Sequence, residues 1–410
     1  MRILNFGSCN IDYVYSLDHI VRLGETTSSA QLKLFPGGKG LNQAIATARA
    51  GAMVYFAGAV GVDGQMLLDI LEESGVNTAF IKRVDEKNGH AIIQVTAAAE
   101  NAIIICPGSN GMITSDYVDF VLSNFGFGDI IVLQNEINNI DYIISSAYKR
   151  GMQIVLNPSP FNSVMREIDY SKISYLMVNE VEAGEISGCN NPAECLNFFR
   201  VNYPSLKVVM TLGKEGCVYL DKDNEFWQSA FMVDAVDTTA AGDTFTGYFV
   251  AELAAGASVP DALKFSSLAS AISVSRKGAA PSIPLRREVV IGLRQLKPRK
   301  PDNKNSKLKV KIDVYIDENI KDATLSSLAS YLGYSTTYTG VLVKKLFSES
   351  FCTVLQERRC ELAHDLLLNT SMSVSEIIES VGYNNESFFR RIFKEKYGKT
   401  PLNFRNREVK

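Results

Sequence analysis

Residues Asp237–Gly247, DTTAAGDTFTG, are the stretch from which the fold and chemistry of this chain are interpreted. An acidic residue and several small residues lead into Gly242 and Asp243, after which an apolar helical pattern begins. Backbone N–H groups at the start of a helix bind anions, and small residues let that backbone approach a phosphoryl group closely. An aspartate placed there can accept a proton from a substrate hydroxyl. A bare Gly-Asp pair would predict only a helix cap, but the complete string favours a phosphoryl-transfer site.

Two polar segments near the start of the chain have a related character. PGGKGLNQAIATARAG (Pro36–Gly51) contains consecutive glycines and then Lys39, Asn42 and Gln43, which predicts a turn into a helix with polar groups projecting from its start. Such a turn suits a polyhydroxyl ligand, and it is not a P-loop because G-x-x-x-x-G-K-[ST] is absent. GSCNID (Gly7–Asp12) ends the first predicted strand, and its asparagine and aspartate can hold sugar hydroxyls.

The order of strand and helix patterns predicts the fold class of the first 295 residues. Apolar runs such as MVYFAGAVG, DIIVLQ and LKVVMTLG alternate with helical patterns such as Gly40–Ala50 and Met66–Ser74. This alternation predicts an α/β domain with three layers, in which helices cover both faces of a mostly parallel sheet. Residues 13–36 and 88–106 are extended patterns without helices between them, and they predict a small separate β lid.

Bulk properties predict a cytoplasmic protein without a membrane partner. The length of 410 residues predicts two or three domains, and 46% hydrophobic with 21% charged residues is typical of globular proteins. No apolar run reaches the roughly 18–20 residues of a membrane span, and the N-terminus lacks the layout of a signal peptide. The seven cysteines are scattered without a C-x-x-C pair, which favours reduced thiols, and the three histidines share no neighbourhood.

The charge distribution separates the chain into an acidic front and a basic back. Residues 1–295 carry 22 Lys+Arg against 31 Asp+Glu, whereas residues 296–410 carry 20 against 14. A basic back part predicts a partner with negative charge. Between the parts, LKPRKPDNKNSKLKVK (296–311) is polar, basic and proline-bearing, which predicts a linker. The predicted domains are therefore 1–295, a basic linker at 296–311, and 312–410.

Taken together, the motifs of the front part resemble those of ribokinase (PfkB-type) carbohydrate kinases over roughly residues 1–294. Three further segments carry the resemblance. VNEVEAGEISG (Val178–Gly188) is similar to the family's N-x-x-E segment near magnesium and phosphate, and TLGKEGC (Thr211–Cys217) is similar to its nucleotide loop. SVSRKGAAPSIP (Ser273–Pro284) is similar to its C-terminal K-G-A-x-P-S-x-P segment.

This resemblance implies transfer of the ATP γ-phosphoryl group, with Mg²⁺, to a primary hydroxyl of a sugar, with Asp243 as the catalytic base. The implied sugar-binding residues are Asn10, Asp12, Gly38, Lys39, Asn42 and Glu136, together with Asp243. The implied ATP-binding residues are Asn179, Thr211, Gly213, Gly216, Gly242 and Ser267. An implied K⁺ site comprises Asp237, Thr239, Ser273, Arg276, Gly278 and Ser282, several through backbone carbonyls. The lid of this family also implies a homodimer.

The back part contains two similar helix–turn–helix patterns. Residues 324–347 and 373–396 each begin with a Ser or Thr N-cap, place apolar residues on one face, and turn at Gly333 or Gly382. Joined by the long helical pattern FCTVLQERRCELAHDLLLNT and followed by FKEKYGKTPLNFR (Phe393–Arg405), they resemble the AraC-type DNA-binding domain over about residues 310–407. The resemblance implies an all-α domain that binds double-stranded DNA.

The second unit matches this family better than the first. Its recognition helix offers Asn385, Glu386, Ser387, Arg390 and Arg391 for contacts to base edges or phosphates. The first unit retains Thr337, Thr339 and Lys344. It departs from the pattern at Gly340, which costs about 1 kcal/mol relative to Ala in a helix, and at Val341, where an arginine is common. A helix–turn–helix kept only for protein contacts is the alternative interpretation.

The function that the two resemblances imply is phosphorylation of a pentose, D-ribose to ribose 5-phosphate, coupled to sequence-specific DNA binding and transcriptional regulation. One alternative is a sugar-sensing regulator whose kinase fold is weak or inactive. Another is a kinase for a different sugar or a nucleoside. The presence of Asp243, Lys39 and the glycine loops favours catalysis, because a pure sensor has no need of a base.

Overall fold

The computed structural model of the chain separates into two compact units, Met1–Lys300 and Pro301–Lys410. It describes residues 1–96, 101–296, 298, 303–347, 349–370, 372–383 and 385–408. No helix in these ranges combines the length and the apolar character that crossing a bilayer requires.

The described part of the first unit contains thirteen strands and ten α-helices. The strands are β1 (Ile3–Phe6), β2 (Asn10–Leu17), β3 (Gln31–Gly37), β4 (Val54–Val60), β5 (Asn77–Arg83), β6 (Gly89–Thr96), β7 (Asn101–Cys106), β8 (Ile130–Gln134), β9 (Gln153–Asn157), β10 (Tyr175–Asn179), β11 (Lys207–Thr211), β12 (Gly216–Leu220) and β13 (Glu225–Ser229). The helices are α1 (Lys39–Arg49), α2 (Gln65–Glu73), α3 (Ser115–Leu122), α4 (Ile140–Lys149), α5 (Ser163–Glu167), α6 (Glu180–Ser187), α7 (Pro192–Asn202), α8 (Ala241–Ala254), α9 (Val259–Val274) and α10 (Arg286–Gln295). Short 3-10 helices lie at Gly108–Gly111, Tyr170–Lys172, Gly213–Glu215 and Ala280–Ser282.

Nine strands form the main sheet in the order β13-β12-β11-β10-β9-β8-β1-β4-β5. All neighbours are parallel except β11 with β12 and β12 with β13. Each central strand is apolar on both faces: in β8, Ile130 and Val132 join one core while Ile131 and Leu133 join the other. Such strands need helices on both sides, because successive side chains of a strand point to opposite faces.

Helices from different parts of the chain cover the two faces. On one face, α1, α8 and α9 contribute residues such as Leu41, Phe249 and Leu268 to the core. On the opposite face, α3, α4 and α7 contribute residues such as Ile143 and Phe199. The predicted three-layer α/β architecture is confirmed.

The predicted separate β lid is also confirmed. Four strands form a second sheet in the order β3-β2-β6-β7. Because β2 begins at Asn10, both Asn10 and Asp12 lie on a strand of this sheet rather than in a loop after β1. Several apolar side chains of the lid are exposed, and their exposed fractions lie between 45% and 61%: Leu32, Leu34, Ile103, Ile104 and Ile105.

The second unit is all helical in its described residues and contains the two predicted helix–turn–helix pairs. Its helices are α11 (Asn303–Glu318), α12 (Leu325–Leu332), α13 (Thr336–Phe347), α14 (Phe351–Asn369), α15 (Val374–Ser380), α16 (Glu386–Tyr397) and α17 (Pro401–Glu408). The predicted N-caps are confirmed, since Thr324 and Ser373 each accept a hydrogen bond from the backbone three residues on. The turn glycines Gly333 and Gly382 have φ values of 73° and 86°.

Helix α11 begins at Asn303, inside the linker predicted at residues 296–311. Residues 297 and 299–302 of that prediction lie outside the described residues. Leu308, Ile312 and Ile316 recur every fourth residue and are buried, whereas Lys309 and Lys311 are exposed. A basic composition therefore concealed an amphipathic helix, whose apolar face packs into the core of the first helix–turn–helix pair.

Helices α1 and α8 approach each other closely at Gly247, which generates a stability prediction. A Cβ added at this glycine would lie 2.4 Å from the Ala46 Cβ and 2.7 Å from the Gln43 carbonyl oxygen. We expect Gly247→Ala to destabilise the first unit by about 1–3 kcal/mol, because this overpacking outweighs the gain in helix propensity. The measurement is the urea midpoint of that unit. Gly126→Ala is the control, because nothing lies within 4 Å of its added Cβ; equal midpoints for the two variants would contradict the prediction.

Candidate active site

Asp243 lies in the first turn of α8 and is only 6% exposed. Both of its carboxylate oxygens accept hydrogen bonds from side chains of α1. The Asn42 Nδ2 donates to Oδ2 at 3.2 Å, and the Gln43 Nε2 donates to Oδ1 at 3.0 Å. Helix α1, which carries the predicted sugar-binding residues Lys39 and Asn42, thus orients the predicted base Asp243.

A cavity of about 230 Å³ opens in front of this carboxylate. Its lining includes Lys39, Asn179, Thr211, Gly242 and Asp243, residues that the sequence assigned to four separate motifs. The N-terminus of α8 borders the cavity, so its backbone N–H groups supply partial positive charge there. Ala240 precedes the helix with φ 59°, a left-handed conformation that a non-glycine residue adopts at an energetic cost.

Several of the predicted sugar-binding residues are held by hydrogen bonds near the start of α1 and β2. Glu136 accepts a hydrogen bond from the Lys39 backbone N–H at 2.9 Å and another from the Ser8 hydroxyl. The Asn10 Oδ1 accepts from the Asn110 Nδ2 at 2.7 Å. The Asn42 Oδ1 is buried and has no hydrogen-bond partner among the described residues. Such an unpaired acceptor is costly in a folded chain, and a ligand hydroxyl would satisfy it.

Burial and charge shift the pKa values of this cluster. Burial raises the pKa of Asp12 to about 7, and the nearby Glu136 carboxylate adds to the rise. Burial also raises the pKa of Glu136, although Lys39 opposes the shift. For Lys39, burial favours a lower pKa, but the carboxylates of Asp243, Glu136 and Glu182 outweigh it and raise the value. The site therefore keeps a lysine ammonium among several carboxyl groups.

Of the predicted nucleotide residues, Asn179, Thr211 and Gly242 line the cavity, whereas the other three lie outside its lining. Gly213 begins the 3-10 turn that follows β11, and Gly216 is the first residue of β12. Ser267 is buried on α9, and its hydroxyl lies 3.5 Å from the Cys217 Sγ at the start of β12.

The predicted K⁺-site residues form two segments that Asp237 joins. Its Oδ1 accepts a hydrogen bond from the Thr239 N–H and its Oδ2 accepts one from the Gly278 N–H, both at 2.9 Å. The buried hydroxyls of Ser273 and Ser282 lie 2.7 Å apart. The remaining member, Arg276, directs its guanidinium to Glu288 at 2.6 Å, so that only its backbone oxygen is suited to a cation.

Sequence reasoning named Gln43 only as a polar group at the start of α1, and it did not name Asn157 or Glu182, although the structure brings all three to this site. Gln43 contacts Asp243, and Asn157 lines the cavity and accepts a hydrogen bond from Gln43 at 3.2 Å. Glu182 forms a reciprocal capping box with Asn179. The N-x-x-E spacing was the available signal for Glu182, and the position beside Asn42 was the signal for Gln43. Nothing local marked Asn157.

In the second unit, α16 carries the predicted DNA-contacting residues. Asn385 caps the helix by accepting from the Phe388 N–H at 3.0 Å, Glu386 pairs with Arg390 at 3.0 Å, and the side chain of Arg391 is 66% exposed. Ser387 is exposed on the same first turn.

In the first helix–turn–helix pair, Thr337 and Lys344 are exposed on α13, as a DNA contact requires. The prediction for Thr339 is wrong. This residue is 0% exposed, and its hydroxyl donates to the Ser335 carbonyl at 3.0 Å. The helix turns it towards the protein core, while Tyr338 and Val341 are 50% and 64% exposed.

Comparison with known proteins agrees with this architecture. Residues 2–286 match the pfkB family carbohydrate kinase, and residues 328–407 match a helix-turn-helix domain. The chain belongs to the pfkB family of carbohydrate kinases and carries an AraC-type helix–turn–helix domain after the kinase.

Three similar proteins illustrate the relationship. The ribokinase of Haemophilus influenzae is 34% identical over 294 residues, which cover 69% of this chain and 95% of that protein. The crystal structure of ribokinase from Cryptococcus neoformans var. grubii serotype A in complex with ADP has a TM-score of 0.64 at 35% identity and covers 71% of this chain and 99% of that one. The structure of Arabidopsis thaliana ribokinase complexed with ribose and ATP has a TM-score of 0.62 at 28% identity, with coverages of 71% and 97%.

The raised pKa of Asp12, about 7, generates a pH prediction. An ionised carboxylate is the better acceptor for sugar hydroxyls, and its population falls about tenfold for each pH unit below the pKa. We expect the KM for the sugar to rise as the pH falls below neutrality, and Asp12→Asn to flatten this dependence. The measurement is the sugar KM between pH 5.5 and 8.5, a range that extends to both sides of the Asp12 pKa of about 7. A wild-type KM that is constant over this range would contradict the prediction.

Proposed function

We propose that this kinase phosphorylates D-ribose with ATP to give ribose 5-phosphate, and that its helix–turn–helix domain binds double-stranded DNA to regulate transcription. The observation that carries the kinase proposal is the position of Asp243. It lies at the N-terminus of α8, faces the cavity, and is hydrogen-bonded to the helix with the predicted sugar residues. Similarity to a ribokinase whose structure holds ribose and ATP supports ribose as the first substrate to test.

The proposed mechanism assigns separate tasks to groups of this chain. Asn10, Asp12 and Glu136 orient the sugar so that its primary hydroxyl meets Asp243, which accepts the proton as the phosphoryl group transfers. N–H groups at the start of α8 stabilise the growing negative charge, as does the Lys39 ammonium. Magnesium would neutralise phosphate charge, and the carboxylate of Glu182 on the cavity wall is a hard oxygen donor of the kind that this ion prefers.

A regulator with an inactive kinase fold is the competing function, and the base distinguishes the two. We expect Asp243→Asn to lower kcat by about 10²–10⁴, because the amide cannot accept the proton. Sugar and ATP affinities should change little, since the size of the side chain is nearly preserved. The measurement is ATP consumption with ribose, deoxyribose, other pentoses, ketohexoses and nucleosides, alongside calorimetric binding of ribose to both proteins.

Each outcome of this substrate panel separates the alternatives. Highest kcat/KM on ribose supports the proposal, and highest kcat/KM on another sugar or a nucleoside changes the substrate. Sugar binding without turnover by the wild type would establish the sensor. Turnover of Asp243→Asn within tenfold of wild type would remove the base assignment.

A monovalent cation site is proposed beside the N-terminus of α8. The hydrogen bonds of Asp237 bring the 237–239 and 273–282 segments together, and the side chains of Ser273 and Ser282 are already paired. Backbone carbonyls of these segments are therefore the oxygens left for K⁺, which prefers such ligands. A cation there would steady the start of α8.

We expect potassium to activate the enzyme for this reason. Initial rates are compared in potassium, sodium and tetramethylammonium chloride at equal ionic strength. Higher turnover in potassium is the expected result, and Asp237→Asn should weaken the activation because it removes the charge that joins the two segments. Equal rates in all three salts would exclude the cation site.

The DNA-binding proposal rests on the exposed polar face of α16. A homodimer is proposed through the lid, which exposes Leu and Ile side chains on its edge strands β3 and β7. Two DNA-binding domains on one dimer would engage a two-part site, since binding of the first raises the effective concentration of the second.

The exposed guanidinium of Arg391 provides the test of DNA binding. We expect Arg391→Ala in the full chain to weaken binding to a random-sequence duplex and to reduce the slope of log affinity against log salt by about 1, the loss of one phosphate contact. Fluorescence anisotropy at several salt concentrations measures both quantities. Arg150→Ala, an exposed arginine of the kinase unit, is the matched control and should bind as the wild type does. Identical slopes for all three proteins would contradict the assignment.

A further inference from the structure

A chain of buried side-chain amides leads from the centre of the main sheet to the carboxylate of Asp243. Asn5 on β1, Gln134 on β8 and Gln43 on α1 are each 0% exposed. The Gln134 Nε2 lies 3.4 Å from the Asn5 Oδ1 and donates to the Gln43 Oε1 at 2.7 Å. The Gln43 Nε2 in turn donates to the Asp243 Oδ1 at 3.0 Å. The base is therefore connected to the core of the kinase unit.

The orientation of the Gln43 amide follows from its neighbours. The Asn157 Nδ2 donates to the backbone carbonyl of Met177 at 2.9 Å, so its Oδ1 must face Gln43, 3.2 Å away. An oxygen requires a donor opposite it, and this places the NH₂ group of Gln43 between Asn157 and Asp243. Gln134 donates to the remaining Oε1. All hydrogen-bonding positions of the Gln43 amide except one acceptor lone pair are thus assigned.

This polar chain is not arranged for maximal stability. The Asn5 Nδ2 and the Gln134 Oε1 are buried and have no hydrogen-bond partner among the described residues. Buried polar atoms without partners destabilise a fold, and apolar side chains of the same volume would avoid that loss. The backbone is also adapted to Gln134, because a Cβ at Gly7 would lie 2.1 Å from its Oε1. Retention of a costly amide at the sheet centre points to a role in the reaction.

We propose that Gln43 is a positioning residue for phosphoryl transfer and that Gln134 holds it in the required orientation. With its NH₂ group directed at Oδ1, Gln43 fixes the rotation of the Asp243 carboxylate towards the sugar hydroxyl. The reversed amide would place an oxygen against the carboxylate, and the repulsion would turn the base away. This inference rests on the proposed function, in which Asp243 is the catalytic base.

The test uses near-isosteric, uncharged variants in the full chain. We expect Gln43→Met to lower kcat about ten- to a hundredfold, because a small displacement of a catalytic group is costly, while the sugar KM changes little. Gln134→Met should lower kcat by a smaller factor, since it frees Gln43 without removing it. Each substitution leaves buried hydrogen-bond partners of the lost amide unpaired, so the urea midpoint should fall, but both proteins should remain folded under the assay conditions. Gln153→Met, on β9 of the same sheet and outside the amide chain, is the control and should retain wild-type kcat.

The pH profile supplies a readout that a structural role would not move. In Gln43→Glu, a second carboxylate beside the base makes loss of its proton less favourable. The acid limb of kcat at saturating sugar should therefore move up by about one pH unit, whereas in Gln43→Met it should not move in this way. The measured quantity is kcat rather than kcat/KM, because kcat/KM also reports the titration of Asp12.

The outcomes separate this inference from the proposed function. An inactive Asp243→Asn together with wild-type kcat for both Met variants would overturn the role of Gln43 and leave the base in place. An active Asp243→Asn would remove both assignments. Loss of kcat in Gln43→Met, with the protein folded and the sugar KM preserved, is the result that supports the inference.

Discussion

The close crossing of α1 and α8 is the contact on which the kinase unit depends. Gly247 lets the backbone of α8 lie against Ala46 and Gln43 of α1. Any side chain at position 247 would increase the distance between the two helices. Both helices begin at the cavity, so their separation sets the distance between the amides of α1 and the carboxylate of Asp243. Packing in the core thereby determines how the amides at the start of α1 and the Asp243 carboxylate at the start of α8 are arranged.

Around this contact the chain accepts electrostatic and polar costs that a purely structural core would avoid. Burial raises the pKa of Asp12 and of Glu136, and the Lys39 ammonium is stabilised only because carboxylates surround it. The acceptors of Asn42 and Gln134 that find no partner in the described part of the chain add to these costs. Such features concentrate where a protein must bind a polar ligand, because the groups that a ligand will satisfy remain unsatisfied without it.

The second unit depends on a different interaction, in which Arg359 of α14 connects the two helix–turn–helix pairs. Its guanidinium donates to the carbonyls of Ile320 and Lys321 at 2.8 and 2.7 Å, and it lies 5.3 Å from the ring centroid of Tyr383. The neighbouring Arg358 binds Asp313 of α11 at 2.9 Å. These contacts join the end of α11 to the turn of the second pair, so the two hydrophobic clusters of the unit are held in one arrangement.

The sequence by itself determined the alternation of strands and helices, the lid, the position of Asp243 at a helix start, and the capped helix–turn–helix pairs. These features are encoded by residues close together in the chain, through periodicity, capping and turn chemistry. Only the tertiary structure decided that α11 begins inside the basic linker, that Thr339 faces the core, and that Gln43 connects the base to Gln134 and Asn157. The contacts of Gln43 join positions separated by 91 to 200 residues, and no local pattern can specify which side chains meet across such distances.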